Sequence, residues 1–227
     1  MPFRFKQFAV EDDRSTMKVG TDAMLLGAWV NVGSSKKILD VGAGSGVIAL
    51  MLAQRSNATI DAVEPDADSA RQASENFAAS PWNNRLRVFN KRLQELETNT
   101  YDLIVSNPPF FSKSLLPPET SRQNARHTET LSFDDLLSSA KNKRLAIILP
   151  TVEGDAFRAK AVDYGLYCNR RLAFYSRQHK AQERWMMEFS PKMTEAGDET
   201  LVLYDGKDKW STGYGNLVKD FLTKLYI

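Results

Sequence analysis

Two short stretches of the chain bring together residue types that can do chemistry. Asn107-Pro108-Pro109-Phe110 sets a carboxamide and an aromatic ring around two prolines. A residue that precedes proline is kept out of the helical region, so Asn107 and Pro108 are both extended, with carbonyls that no local helix uses. The Asn107 side-chain oxygen and the Pro108 carbonyl can each accept one N–H of a planar amine. Those bonds concentrate charge on the nitrogen as it attacks an electrophilic methyl group. Phe110 can stack on the ring that bears the amine, an interaction of about 1 to 3 kcal/mol per base. Taken alone, the tetrapeptide also reads as a rigid surface turn with a half-buried Phe.

The second stretch is Asp40-Val41-Gly42-Ala43-Gly44-Ser45-Gly46, between a strand-like run and a helical one. Parallel strands present a ligand crevice at this junction, and glycines let backbone approach the ligand closely. A dinucleotide fingerprint needs glycine at position 47, where Val47 stands, which disfavours a pyrophosphate cradle. Glu64, at the end of the next strand, can accept hydrogen bonds from two ribose hydroxyls. It serves an NAD ribose equally well. The bland alternative is a tight turn beside a solvated acid, but loop and acid in this order favour a nucleoside ligand.

The elements that position these residues follow from pattern. Strand-type runs at Lys37 to Val41, Thr59 to Glu64, Leu86 to Phe89, Tyr101 to Ser106 and Leu145 to Leu149 alternate with helical stretches. Val47 to Gln54 is apolar on nearly every face, and Asp66 caps a helix to about Ala79 that buries Ala70, Ala73 and Phe77. Ser132-Phe133-Asp134-Asp135 has capping-box spacing before a helix ending near Ala140, and a further helix covers Glu153 to Tyr164. Such alternation predicts a doubly wound, mostly parallel α/β sheet of the seven-stranded type. Tyr167 to Tyr175, Arg184 to Phe189 and Thr200 to Tyr204 have links too short for helices and are expected to pair antiparallel at one edge. Leu217, Val218, Phe221, Leu222, Leu225 and Tyr226 fall on one face of an expected C-terminal helix. Residues 111–130 form a long irregular segment of the length that function usually explains.

Composition narrows the classes. The 227 residues are 42% hydrophobic, and 30 Lys plus Arg against 28 Asp plus Glu leave a net charge of +2. Any nucleic-acid affinity must therefore come from local patches. Seven cations against three anions between Lys160 and Lys192 make one patch, Arg85, Arg87, Lys91 and Arg92 another, and Lys113, Arg122 and Arg126 a third beside the Asn-Pro-Pro-Phe turn. Cys168 is the sole cysteine and His127 and His179 the sole histidines, which excludes disulfide scaffolds and Cys/His zinc sites. With no apolar run long enough for a bilayer and no signal-peptide pattern, the chain reads as soluble and cytoplasmic, with no membrane or metal partner.

Together, Asp40 to Gly46, Glu64 and Asn107 to Phe110 resemble class I S-adenosylmethionine-dependent methyltransferases that modify exocyclic or amide nitrogens. Phe5-Lys6-Gln7-Phe8, Met17-Lys18-Val19-Gly20-Thr21-Asp22, Leu25-Leu26-Gly27-Ala28-Trp29, Arg126-His127-Thr128 and the C-terminal helix resemble the bacterial tRNA1(Val) (adenine-37-N6)-methyltransferase family. The resemblance implies a single Rossmann-like methyltransferase domain over 1–227. Residues 1–30 would cover cofactor and substrate, 31–205 form the core, and 206–227 hold the terminal helix. It implies S-adenosylmethionine as cofactor and tRNA as partner. Gly20, Thr21, Asp40, Gly42, Gly44, Gly46, Glu64 and Asn107 would bind the cofactor. Asn107, Pro108 and Phe110 would hold the target adenine, and Phe111, Lys113, Arg126 and His127 the RNA around it. One position departs: Arg92 stands where such enzymes usually carry an acid for the cofactor's adenine amine, and Arg has no acceptor. Guanine-N2 rRNA and glutamine-N5 protein methyltransferases would use the same turn. Outside this class stand an RNA-binding module with a vestigial pocket and a nicotinamide-dependent oxidoreductase.

Overall fold

Successive side chains of a strand point to opposite faces, and an apolar run therefore buries both. In Lys37–Val41, Ile38 packs into one apolar cluster and Leu39 and Val41 into another. The computed structural model, which describes residues 2–109, 131–195, 197–206 and 209–224, shows helices on both sides of the sheet this creates. Its strands are β3 (Lys37–Val41), β4 (Thr59–Val63), β5 (Leu86–Phe89), β6 (Leu103–Ser106), β7 (Arg144–Pro150), β8 (Tyr167–Arg177), β9 (Arg184–Ser190) and β10 (Gly197–Tyr204). They lie in the order β10-β8-β9-β7-β6-β3-β4-β5. A separate ribbon pairs β1 (Phe3–Arg4) antiparallel with β2 (Ala9–Val10). Helices α1 (Thr21–Trp29), α2 (Val47–Arg55), α3 (Ala67–Ala78) and α6 (Thr212–Val218) cover one face. Helices α4 (Phe133–Ser139) and α5 (Thr151–Ala161) cover the other.

Local caps set where helices begin. The Asp66 side chain accepts from Ser69 N at 2.8 Å. Ser132 and Asp135 exchange the two bonds of a capping box at 3.1 and 3.0 Å.

Two features of the tail differ from expectation. All eight expected strands join one sheet, but β10 pairs parallel with β8, while β9 runs antiparallel to both β7 and β8 as expected. A short link need not join neighbours: β10 lies across β8 from β9, and residues 191–195 leave β9 at the start of β8. Asn169, at the β8 bulge, donates to Ser190 Oγ and Lys192 O at 2.7 and 2.9 Å and accepts from Thr194 N at 3.0 Å, which pins that link. The C-terminal helix also ends at Val218, before Phe221 and Leu222 of its apolar stripe, while Leu225 and Tyr226 lie outside the described residues. Tertiary pairing wins over helical periodicity there, because Phe221 O accepts from Lys6 N at 2.8 Å and Leu222 bridges to Phe5.

Candidate active site

The carboxyl ends of β3, β4, β5 and β6 and the start of β9 border a cavity of about 910 Å³. Gly20, Thr21, Gly42, Gly44, Glu64 and Asn107 all stand on its wall, although 87 residues separate the first from the last. Asp40 and Gly46 are buried and do not line it, and Pro108 is buried between Asn107 and Pro109, which both do. Phe110, Phe111, Lys113, Arg126 and His127 lie outside the described residues.

The glycine loop has a conformation that needs glycine. Gly42 and Gly46 hold φ of 74° and 80°, in the left-handed region. A Cβ on Gly42 would meet nothing within 4 Å, whereas one on Gly46 would lie 2.5 Å from Phe77 Cε1. Gly42 thus leaves backbone open to a ligand, and Gly46 lets α3 close in from behind. Because Gly46 is the N-cap of α2, no side chain of its own can cap that helix. Asp40 does so from β3, its Oδ2 accepting from Ala49 N at 3.0 Å. Its Oδ1 has no partner among the described residues. Burial, opposed by the Ala49 bond and reinforced by the Glu64 charge, pushes the Asp40 carboxyl up to about 7.

Glu64 ties the acid to the loop. Its Oε2 accepts from Gly44 N at 2.8 Å and its Oε1 from Asp66 N at 3.0 Å. Each carboxylate oxygen has a second lone pair, so these bonds orient the group without exhausting it. Burial raises its pKa above the ordinary glutamate value, with both backbone bonds opposing.

Asn107 follows β6, whose last residue Ser106 donates its hydroxyl to Val41 O at 2.9 Å. The end of β6 is thereby locked to the start of the glycine loop. Asn107 Oδ1 is buried and accepts nothing among the described residues. A buried acceptor left this way costs about 1 to 3 kcal/mol, and such groups concentrate at functional sites. Arg92, Leu93 and Gln94, after β5, line the far end of the cavity. The Gln94 carboxamide brings an acceptor to the region where Arg92 has none.

Sequence reasoning missed two parts of this site. The first is a strap over residues 11–16, fastened to α3. Glu11 N and Arg14 N donate to Asn76 Oδ1 and Gln72 Oε1 at 3.0 and 2.7 Å, and Thr16 N donates to Ser69 Oγ at 3.1 Å. Ser69, Gln72 and Asn76 are buried polar residues at helical spacing, a signal that was present beside the apolar stripe of Ala70, Ala73 and Phe77. The second is Arg184, whose Nε donates to Asp22 Oδ2 at 2.8 Å on the cavity wall. These partners are 162 residues apart, and no local pattern announces them.

Among the described residues no group of three or more His, Cys, Asp or Glu is placed to hold a metal ion, and no helix is long and apolar enough to cross a membrane. The methyltransferase small domain family matches residues 15–148. A tRNA1(Val) (adenine(37)-N6)-methyltransferase of Trichodesmium erythraeum is 43% identical, covering 98% of each chain. One of Tolumonas auensis is 40% identical over 98% of this chain and 97% of its own. Among solved structures, an Agrobacterium tumefaciens protein described as a predicted O-methyltransferase superposes with a TM-score of 0.65 at 16% identity, over 88% of this chain and 96% of that one. Pyrococcus horikoshii TYW2 in complex with MeSAdo gives 0.54 at 14%, over 82% and 68%. At these identities the structures speak for the fold alone.

Proposed function

The chain belongs to the tRNA1(Val) (adenine(37)-N6)-methyltransferase family, within the methyltransferase small domain family, and we propose how its cavity moves a methyl group from S-adenosylmethionine to the N6 amine of a tRNA adenine. The observation that carries this reading is Asn107 Oδ1, a buried acceptor without a partner among the described residues, on a cavity that also contains a glycine loop and an oriented carboxylate. The loop and acid fit a nucleoside cofactor, since the space facing Gly42 is open and Glu64 keeps lone pairs for two hydroxyls. S-adenosylmethionine, when bound, supplies a methyl group on a sulfonium whose departure leaves a neutral thioether.

Gly20, Thr21, Gly42 and Gly44 enclose the methionine end, and Glu64 holds the ribose. Gln94 accepts from the cofactor's adenine amine in place of the usual acid. Asp40 and Gly46 act through the loop that they cap and seat. Asn107 Oδ1 and the Pro108 carbonyl accept the two N–H bonds of the target amine, which orients its lone pair and raises charge on nitrogen. Phe110 stacks on the adenine. The surplus proton on the methylated nitrogen goes to water, so no side chain acts as base. The relatives' names point to adenine 37 of a valine tRNA as the target.

Incubation with tRNA and S-adenosylmethionine, followed by nucleoside mass analysis, tests this. N6-methyladenosine is expected. N2-methylguanosine, or methylated protein with unmodified tRNA, would contradict it.

A further inference from the structure

Strand order lays the cavity out along one axis. Arg92 and Gln94 follow β5, Glu64 follows β4, the glycine loop follows β3, Asn107 follows β6, and Arg184 begins β9 beyond β7. The cofactor groups therefore occupy the β3, β4 and β5 half. Beyond Asn107, the wall carries Arg184. It faces Pro150 across the β7–β9 pairing, and its guanidinium is held by Asp22 Oδ2 and by Glu183 O at 2.8 and 2.9 Å. The other cations on the wall belong elsewhere. Lys18 donates to Asp12 O at 2.5 Å on the strap side, and Arg92 stands at the opposite end of the sheet edge.

We propose that Arg184 binds the phosphate of the nucleotide whose base is methylated, with Asp22 as its positioning residue. This rests on the reading that the substrate is a tRNA adenine. Two strand spacings, roughly 10 Å, separate β6 from β9 laterally. Arg184 stands three residues further along β7 than the partner of Ser106, so its long side chain reaches back over the cavity. The lateral spacing matches the reach from the exocyclic amine of an adenine, through base and ribose, to its phosphate. A guanidinium suits the site because its planar fork engages phosphate oxygens in pairs and keeps its charge at any working pH. Asp22 fixes where the fork stands, being anchored itself as the second residue of α1.

A plain latch between α1 and β9 would need Arg184 and Asp22 equally; a phosphate site would not. The test uses the full-length wild type, Arg184→Met, Arg184→Lys and Asp22→Asn. It measures tRNA affinity across a salt series, kcat and KM for tRNA, S-adenosylmethionine affinity and melting temperature. Arg184→Met is expected to weaken tRNA binding about tenfold and to flatten the slope of log K against log salt by about one. KM should change more than kcat, with cofactor affinity unchanged. Arg184→Lys keeps the charge and should restore the slope and most of the affinity. Asp22→Asn keeps an oxygen that accepts from Arg184 Nε and so still positions the fork, while it removes an anion beside the phosphate; it should not weaken tRNA binding. Equal losses in Arg184→Met and Asp22→Asn, or an unaltered slope in Arg184→Met, would overturn the proposal. A wild type that binds tRNA without forming N6-methyladenosine would instead overturn the underlying reading.

Discussion

The two ends of the central sheet treat polar groups in opposite ways. At the carboxyl end, Gly42, Gly44 and Gly46 hold φ of 74°, 53° and 80°, and Asp40 and Asn107 each keep a buried oxygen without a partner among the described residues. At the amino end, three guanidinium groups meet the last carbonyls of α1 and the residues after it. Arg55 Nη1 donates to Gly27 O and Val30 O at 2.9 Å each, Arg170 Nη1 to Trp29 O at 3.1 Å, and Arg144 Nη2 to Asn31 O at 2.5 Å. Cations there also complement the helix dipole. The buried Glu188 accepts from Asn31 N at 2.5 Å and faces both Arg170 and Arg144 at 3.8 and 4.0 Å. One end thus gathers left-handed glycines and unmet acceptors around the cavity, whereas the other meets the carbonyls at the end of α1 with its own guanidinium groups, although Gln54 Oε1 beside Arg55 is also buried without a partner among the described residues. Substitutions of the cavity-lining groups at the first should act on chemistry, and of the guanidinium groups at the second on stability.

The largest expected effect is at the open end. Asn107→Ala should lower the methylation rate about a hundredfold or more, the usual loss of one preorganised polar partner, with cofactor affinity and melting temperature nearly unchanged. Single-turnover kinetics with a parallel binding titration checks this. A rate loss matched by an equal loss of stability would erase the contrast between the ends.

Next is the closed end. Arg55→Met keeps the apolar stem but leaves two carbonyls of the α1 terminus without their donor, and should cost about 2 to 3 kcal/mol in urea unfolding. The rate per folded molecule should stay at the wild-type level.

Glu64→Gln is smaller. A carboxamide has one acceptor oxygen, so it cannot face both Gly44 N and Asp66 N and still serve a ribose. Cofactor affinity should fall about tenfold, equivalent to 1.4 kcal/mol, by calorimetry. Methyl transfer at saturating cofactor should be largely retained.

The shallowest effect is a pH slope. Asp40 rises from 3.8 to about 7 on folding, so between those values the folded state binds the extra proton. The contribution of Asp40 to stability is therefore greatest below about 4 and declines as pH rises toward 7, by no more than about 1.4 kcal/mol per pH unit. Asp40→Asn should remove more of this slope than Glu188→Gln. Glu188 is also raised by burial, but Arg170 and Arg144 pull it back, whereas Asp40 faces the Glu64 charge. Equal slopes in the two variants would contradict the distinction.

Much of the open end was legible because its rules are local. Glycine spacing, two consecutive prolines and an acid at a strand end constrain backbone within a few residues, and the Asp66 and Ser132–Asp135 caps do likewise. What escaped depends on distant pairing. The place of β10 turns on Asn169 reaching across a strand end, and the early stop of α6 on residues 5 and 6 pairing with 221 and 222. Asp40 looked like a ligand residue from its place in the motif, but its role as the α2 cap depends on Gly46 having no side chain.

The central claim is that acceptors at Asn107 and Pro108 hold an exocyclic amine. The direct measurement is methyl incorporation into two matched tRNAs, one with the target adenosine and one with inosine there, which carries a carbonyl oxygen in place of the amine. Labelling of the adenosine tRNA alone is expected, with affinities for the two tRNAs differing far less than turnover, since phosphate contacts dominate binding. Methyl transfer to the inosine itself would contradict N6 chemistry and the role assigned to Asn107.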